Sequence, residues 1–197
     1  MSANLIFAFA AAYLIGSIPF GLLLTRLAGK GDIRDIGSGN IGATNVLRTG
    51  QKGLAALTLI LDCLKAVAAI LLARQLFGEH GAPFAAAGAM VGHLYPVWLR
   101  FAGGKGVATL LGVLIGMAPI VAPVYAAVWL MGLLTTRISS VAGIASAVSA
   151  PLGAAILGHA ALVPALLGFA LLVVWKHRAN IVRLKAGTEP RVGKTKA

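Results

Sequence analysis

Long stretches without a charged residue constrain the fold of this chain more than any other feature. Residues 1–25, 106–136 and 138–175 contain no Asp, Glu, Lys or Arg. Uncharged apolar runs of about 18 residues or more are typical of transmembrane segments. Backbone N–H and C=O groups cannot stay unpaired in lipid, so each segment must be helical. With 59% hydrophobic and 11% charged residues, the composition predicts one all-α integral membrane domain over residues 1–197.

Breaks in the apolar runs divide the chain into seven predicted transmembrane helices. Gly116 and the prolines at 119 and 123 interrupt one run, and residues 158–159 interrupt another. Pro19 is expected to kink the first helix, which membrane helices tolerate. The fourth helix is short for a bilayer, so it either crosses fully, begins earlier or is re-entrant. The predicted spans are residues 3–24, 53–73, 82–99, 106–117 and 119–134, followed by two helices within 138–175.

Basic residues are distributed unevenly over the two sides that seven helices define. One side carries fifteen of the 17 Lys and Arg residues, the other has only Arg74, and Lys65 lies within a span. Cytoplasmic loops are enriched in Lys and Arg, so we predict an outside N-terminus and a cytoplasmic C-terminus. This face accounts for the net charge of +12, and no nucleic-acid partner is expected. The fifteen residues are Arg26, Lys30, Arg34, Arg48, Lys52, Arg100, Lys105, Arg137, Lys176, Arg178, Arg183, Lys185, Arg191, Lys194 and Lys196.

A polar, glycine-rich stretch, GSGNIGATNVLRTG, follows the first predicted span at residues 37–50. Glycine lets backbone N–H groups approach a ligand closely, and successive N–H groups form a concave nest that favours anions. Arg48 would add a bidentate phosphate contact. The stretch is therefore either a pocket for a phosphate or phosphate ester at the membrane edge or a flexible loop between two helices.

Two further polar stretches fall on the same predicted side of the membrane. Residues 92–106 place Lys105 among three glycines, which favours an anion site, although a basic membrane anchor is the alternative. His177 and Asn180 are three residues apart and share one helical face just after the last span. His177 either acts as a general base or contacts lipid head groups. Three polar stretches on one side predict a composite active site at the cytoplasmic edge of the membrane.

Four polar residues within or at the ends of the spans have structural interpretations. Asp62 and Lys65 are costly inside a membrane unless they are paired or face a polar cavity, so we predict a mutual ion pair, with a catalytic role as the alternative. Cys63 is expected to be a buried thiol, since one cysteine cannot form an intrachain disulfide. His93, at a span end, is expected to be an interfacial hydrogen-bonding residue and not a metal ligand.

The last two spans and the tail add four candidates. Arg183 and Glu189 are expected to form a local ion pair that orders the tail. Ser139 and Ser140 stand at the head of the sixth span, where they either cap the helix or contact substrate. The chain has only five carboxylates and no acidic cluster, which argues against a magnesium-dependent transferase. No metal or other cofactor is expected.

Three polar motifs follow one another along the chain. The first is SGNIGATN at residues 38–45, the second combines GHLYP at 92–96 with GGKGVAT at 103–109, and the third is HRANIVRLKAGTE at 177–189. In this order they resemble the motifs of the bacterial acyl-phosphate:glycerol-3-phosphate acyltransferases, the PlsY family. The resemblance spans the chain at the expected spacing. It implies a seven-helix enzyme of the bacterial inner membrane, with its active site facing the cytoplasm.

The resemblance also implies a reaction. A fatty acyl group would pass from acyl phosphate to the 1-hydroxyl of sn-glycerol 3-phosphate, giving lysophosphatidic acid and phosphate, in the first acylation step of phospholipid synthesis. Membrane lipids would surround the enzyme, and no obligatory protein partner is expected. Catalytic roles are implied for Ser38, Arg48, Lys105, His177 and Asn180, and a structural role for Glu189. Candidate substrate contacts are Gly39, Asn40, Asn45, Gly103, Gly104, Ser139, Ser140 and Arg183.

This chemistry suits the residues, because acyl phosphate is an activated mixed anhydride. The enzyme has mainly to align a hydroxyl with the carbonyl and to stabilise phosphates and an oxyanion. The proton acceptor is either His177 or a substrate phosphate.

Two other classes of protein are alternatives to an enzyme: a transporter or channel for phosphate-bearing solutes, and a lipid-binding structural subunit. A transporter would place its polar groups near the bilayer midplane, whereas only Asp62 and Lys65 lie deep in a predicted span.

Overall fold

The computed structural model describes residues 3–193, which form helices and no strand. Contacts divide the chain into two compact units, Met1–Met117 and Ala118–Ala197. The all-α prediction is confirmed for the described residues, and the single domain over residues 1–197 stays a prediction. Lys194 and Lys196, two of the fifteen basic residues predicted to lie on the cytoplasmic side, are outside the described residues. The helices are α1 (Ala3–Gly16), α2 (Phe20–Leu27), α3 (Ala43–Leu47), α4 (Lys52–Phe77), α5 (Gly81–Leu94), α6 (Val107–Met117), α7 (Ala122–Thr136), α8 (Ser139–Ile156), α9 (Val163–Lys176) and α10 (Arg178–Lys185).

Not every predicted span is one helix of transmembrane length. Within the described residues, three segments are long and apolar enough to cross a membrane: Ala3–Leu27, Lys52–Phe77 and Ser139–Ile156. A fourth is added if Ala160–Lys176 and Arg178–Lys185, which are bent by 58°, form one span. The 11 residues of α6 extend about 16 Å at 1.5 Å each, short of a hydrocarbon core of about 30 Å. The count of seven spans and their orientation therefore stay predictions.

In the first unit, the apolar N-terminal segment is broken at Pro19. Proline has no N–H, and its ring clashes with the carbonyl four residues earlier. As a result α1 ends at Gly16 and α2 begins at Phe20, which confirms the predicted irregularity. The carbonyl of Ile18 lies in this break, outside the helical hydrogen-bond ladder, and is available to a side chain from another helix.

Glycines on α5 bring it into backbone contact with α1. A Cβ atom at Gly88 would collide with the carbonyl oxygen of Phe9, and one at Gly92 with that of Tyr13. The Tyr13 hydroxyl donates to the carbonyl of Tyr95 at 2.8 Å, just after α5 ends. The N-terminal helix and the second motif are therefore held together by close packing as well as by hydrogen bonding.

On the neighbouring α4, Cys63 is 6% exposed, which confirms the prediction of a buried thiol.

The polar loop between α2 and α4 is anchored by a small apolar core. Its buried members come from α2, from the loop with its short helix α3, and from the start of α4: Leu22, Ile33, Ile41, Val46 and Ala55. Burial of the Leu, Ile and Val side chains stabilises each by about 1.5–3 kcal/mol relative to exposure. The loop is therefore a folded part of the first unit.

In the second unit, α7 and α8 form a helical hairpin closed by Arg137, whose φ of 57° is left-handed. The Ile138 N–H donates to Oγ1 of Thr136 at 3.0 Å, and no side chain caps α8. The capping alternative for Ser139 and Ser140 is therefore wrong.

The Val192 N–H donates to the Arg137 carbonyl at 2.7 Å, so the tail returns to this hairpin. His177 lies at the bend between α9 and α10.

Candidate active site

Asn45 organises the first motif. Its side chain is buried, and Nδ2 donates to the carbonyls of Ile33 at 2.9 Å and Ile36 at 2.8 Å. Its Oδ1 accepts from the Ser38 N–H at 3.0 Å and from the Ser38 hydroxyl at 3.3 Å. Nη1 of Arg48 donates to the same oxygen at 3.3 Å. The structure thus brings Ser38, Asn45 and Arg48 together, with the Asn45 amide engaged by the loop itself.

The turn that carries Ser38 requires a glycine before it. Gly37 has a φ of +59°, and a Cβ there would lie 2.5 Å from Oδ1 of Asn45 and 2.8 Å from Cδ of Arg48. Both the left-handed backbone and the close approach favour glycine. Gly39, with a φ of +67°, continues the turn. Oδ1 of Asn40 accepts from the Gly42 N–H at 2.9 Å, which shapes the entry to α3.

A second polar element is the loop that carries Lys105. The Gly104 N–H donates to the carbonyl of His93 at 3.0 Å. A Cβ at Gly104 would overlap the imidazole ring of His93, and one at Gly103 would overlap the carbonyl oxygen of the same residue. Lys105 is partly buried. The two glycines are therefore placed against His93, and Lys105 follows directly.

Below this loop lies a buried charged cluster. Nζ of Lys65 contacts Oδ1 of Asp62 at 2.6 Å, Nδ1 of His93 at 3.0 Å and the Ile18 carbonyl at 2.9 Å. Asp62, Lys65 and His93 are each at most 4% exposed, so the predicted Asp62–Lys65 pair is confirmed. The hydrogen-bonding role expected for His93 at a span end is confirmed, and packing of α4 against α5 encloses the ring. Within the described residues no cluster of His, Cys, Asp and Glu suits a metal ion.

An exposed ion-pair cluster precedes the first motif and was not expected from the sequence. Asp32 accepts from the Arg34 N–H at 3.0 Å and its Nε at 2.9 Å, and it also pairs with Arg26. Hydrogen bonding from Arg34 holds the pKa of Asp32 well below its ordinary value. Part of the basic charge in this loop is therefore compensated locally. Sequence spacing alone did not reveal the cluster, because the chain turns between residues 26 and 34.

In the second unit, His177 has a defined tautomer. Its Nδ1 lies 2.8 Å from the carbonyl oxygen of Val173. A carbonyl oxygen only accepts, so we assign the proton to Nδ1. In the neutral ring Nε2 is then the basic atom, which is the arrangement a general base requires.

Glu189 gathers the other polar residues of this unit. Oε1 accepts from the Ser140 hydroxyl at 2.8 Å and from Nδ2 of Asn180, and Oε2 accepts from Nε of Arg183 at 2.7 Å. Burial acts to raise the pKa of Glu189, but hydrogen bonds from Asn180, Ser140 and Arg183 outweigh it, so the pKa lies below the ordinary value. The predicted Arg183–Glu189 pair is confirmed. Ser139, next to Ser140, is partly buried.

Described helical segments that are long and apolar enough to cross a membrane are typical of an all-α integral membrane protein. The glycerol-3-phosphate acyltransferase family model matches residues 6–187. Glycerol-3-phosphate acyltransferases of Mesorhizobium japonicum and Erythrobacter litoralis are 55% and 56% identical, covering 98% and 92% of this chain and 98% and 91% of their own. The chain therefore belongs to the glycerol-3-phosphate acyltransferase family, which confirms the resemblance seen in its motifs.

Solved structures agree with this assignment over nearly the whole chain. Crystal structures of PlsY (YgiH), an integral membrane glycerol 3-phosphate acyltransferase, are similar in a glycerol 3-phosphate form and in a lysophosphatidic acid form. The first superposes with a TM-score of 0.90 at 39% identity, and the second with 0.89 at 38%. Both alignments cover 97% of this chain and 96% of the other.

Proposed function

We propose that this protein transfers a fatty acyl group from acyl phosphate to the 1-hydroxyl of sn-glycerol 3-phosphate. The observation that carries the proposal is the similarity, over 97% of the chain, to an acyltransferase solved in a glycerol 3-phosphate form and a lysophosphatidic acid form. The anionic substrates also suit the cationic and glycine-rich motifs. Membrane-embedded helices suit an acyl donor and a product that reside in lipid.

In this reaction the glycerol hydroxyl oxygen attacks the carbonyl carbon of acyl phosphate. A carbon–oxygen ester bond forms, and the bond from the acyl carbon to the phosphate oxygen breaks. Inorganic phosphate leaves with that electron pair, and the hydroxyl proton passes to a base. No covalent acyl-enzyme is required, and we expect neither a metal nor another cofactor, so a chelator should leave the rate unchanged.

In the first unit we assign Arg48 and Lys105 to hold phosphate groups through charge-assisted hydrogen bonds. Ser38 orients a phosphate with its hydroxyl, and the backbone of Gly39 adds an N–H donor. Asn45 supports this arrangement because its amide already binds Ser38 and Arg48. The remaining candidate contacts here are Asn40, Gly103 and Gly104.

In the second unit we assign His177 and Asn180 to the reacting hydroxyl. The tautomer of His177 supports Nε2 as proton acceptor, with a substrate phosphate as the alternative base. Glu189 is the structural residue that orients Asn180. Ser140 and Arg183 act through Glu189, to which both donate hydrogen bonds, and Ser139 is the remaining candidate contact.

The decisive experiment uses purified protein in lipid nanodiscs with palmitoyl phosphate and glycerol 3-phosphate. Phosphate release and lysophosphatidate formation should proceed in equal amounts. Palmitoyl-coenzyme A, supplied in parallel at the same concentration, should not replace palmitoyl phosphate. Transfer from the thioester at an equal rate would rule out acyl phosphate as the specific donor, and no lysophosphatidate from either donor would reject the proposed function.

We also propose seven spans with the N-terminus outside, the C-terminus in the cytoplasm and no obligatory protein partner. The location is the bacterial inner membrane, and the bias of Lys and Arg supports the orientation. The single cysteine makes a direct test simple. In a Cys63→Ala background, a membrane-impermeant maleimide should label a cysteine introduced at Lys30 from the cytoplasmic side. It should label a cysteine introduced at Glu79 from the outer side. The reverse labelling pattern would contradict this topology.

A further inference from the structure

The cluster of Asp62, Lys65 and His93 has no role in the reaction as described above. Its members come from α4 and α5, and all three side chains are enclosed by the first unit. Moving charges from water into an apolar interior is expensive, and the attraction within an ion pair often fails to offset the cost. Replacing a buried ion pair by well-packed apolar residues of similar volume is often neutral or stabilising. The cluster therefore calls for an explanation other than stability.

Lys65 holds His93 in one orientation. An ammonium group has three N–H donors and no acceptor, and the three polar neighbours of Nζ are Asp62, the Ile18 carbonyl and His93. Because Lys65 can only donate, Nδ1 of His93 is the acceptor and its proton is on Nε2. Asp62 lies 3.7 Å from the same Nδ1, too far for a hydrogen bond. The pair thus sets both the rotamer and the tautomer of the ring.

The ring orientation matters because the backbone of Gly104 lies on it. A Cβ built on Gly104 would fall on Nε2, Cε1 and Cδ2 of His93, and the Gly104 N–H donates to the His93 carbonyl. Ring and backbone of His93 therefore both support Gly104. Lys105 is the next residue. A change in the tilt of the His93 ring would therefore shift the Gly104 backbone and, one peptide unit further, the Cα atom of Lys105.

We propose that Asp62, Lys65 and His93 form a positioning network that sets the backbone of residues 103–105 and thereby the placement of the Lys105 ammonium group. The inference rests on the proposed role of Lys105 as a phosphate contact. The three residues touch no substrate. They act by holding a loop in one of the several conformations that its glycines would otherwise permit.

The test replaces the charged pair without leaving one charge buried alone. The double variant Asp62→Asn/Lys65→Met keeps similar side-chain volumes, so its melting temperature should stay within about 4 °C of the wild type. Its kcat should fall by about 10-fold to 100-fold, the loss expected for a small displacement of a catalytic group. Thr58→Val is the matched control, since Thr58 is a buried polar residue of α4 bonded only within its own helix, to the Leu54 carbonyl.

A second variant separates the pair from the ring. His93→Asn keeps an acceptor near the position of Nδ1 for Lys65, but it removes the ring atoms below Gly104. Its kcat should fall by about 10-fold to 100-fold, as in the double variant. In both variants, backbone hydrogen exchange of residues 103–105, measured in nanodiscs, should be faster than in the wild type while exchange in α4 and α5 stays slow.

The outcomes are distinguishable. Wild-type kcat or unchanged loop exchange in the double variant would overturn the positioning role. A loss of activity that merely follows a large drop in melting temperature would also overturn it, in favour of a packing role. If the wild type itself forms no lysophosphatidate, the proposed function fails, and the exchange measurement still decides whether the network holds the loop.

Discussion

Nδ2 of Asn180 donates a hydrogen bond of 2.5 Å to Oε1 of Glu189, and both side chains are buried. A carboxylate only accepts, so the bond determines which end of the amide faces Glu189. Oδ1 of Asn180 is consequently the end turned away from it. A residue nine positions further along the chain therefore sets the orientation of a proposed active-site group, and the first two predictions concern this pair.

Glu189→Gln should reduce both stability and activity. An amide presents one acceptor and one donor, whereas Asn180, Ser140 and Arg183 all donate to Glu189, so one donor must lose its partner. An unsatisfied buried donor costs about 1–3 kcal/mol, measurable as a lower melting temperature together with a lower kcat. Glu79→Gln is the control, because the Glu79 side chain is 79% exposed in its ion pair with Arg74. Equal effects of the two substitutions would contradict the role of Glu189.

The same pair predicts a pH dependence of stability. The pKa of Glu189 is below its ordinary value of 4.5, so the folded state favours the ionised form. The resulting stabilisation is present above pH 4.5 and is lost as the pH falls from 4.5 through the lower folded pKa. The difference in melting temperature between the wild type and Glu189→Gln should therefore shrink below pH 4.5. A constant difference from pH 7 to pH 3 would contradict the shifted pKa.

Lys105→Ala should remove most activity while the protein still folds. The ammonium group is proposed to neutralise a substrate phosphate, and loss of such a group typically costs about 100-fold to 1,000-fold in rate. Steady-state kinetics and a melting curve check this. Lys30→Ala, at an exposed position of another loop, should keep wild-type kinetics. Near-wild-type turnover of Lys105→Ala would exclude the phosphate contact.

His177→Gln tests the proton acceptor. If Nε2 of His177 is the base, kcat should fall by about 100-fold or more, and the ionisation that limits the acid side of the pH–rate profile should disappear. His177→Asn is the comparison, since its amide can still donate to the Val173 carbonyl that Nδ1 contacts. A pH–rate profile of unchanged shape in His177→Gln would assign the proton to a substrate phosphate instead.

Asn45→Ala should loosen the first motif. It removes the donors to Ile33 and Ile36 and the acceptor shared by Ser38 and Arg48. Leaving these groups unpaired should lower stability by about 1–3 kcal/mol and raise the KM for glycerol 3-phosphate. Thr49→Val provides the control, as the Thr49 hydroxyl donates only to the Val46 carbonyl at 2.7 Å. An unchanged KM would leave Asn45 with a purely local role.

Much of the fold was predictable because its signals are local. Uncharged runs identified the apolar helices, Pro19 marked the break between α1 and α2, and spacing on one helical face paired Asp62 with Lys65. The motifs identified the family before any geometry was known. Span lengths were less predictable, because α5 ends at Leu94 within the predicted span 82–99, where the chain turns and places the Tyr95 carbonyl against the Tyr13 hydroxyl.

The sequence by itself determined a helical membrane protein of this family, since hydrophobicity and ordered motifs are properties of the chain. Only the tertiary structure showed that the Asn45 side chain accepts hydrogen bonds from Ser38 and Arg48, and that the buried His93 ring lies against Gly104. It also showed that Ser140 bonds Glu189 in place of capping α8. Lys65 and His93 are 28 residues apart, and Ser140 and Glu189 are 49 residues apart, so helix packing decides whether these partners meet. In a membrane a buried donor has no water as an alternative partner.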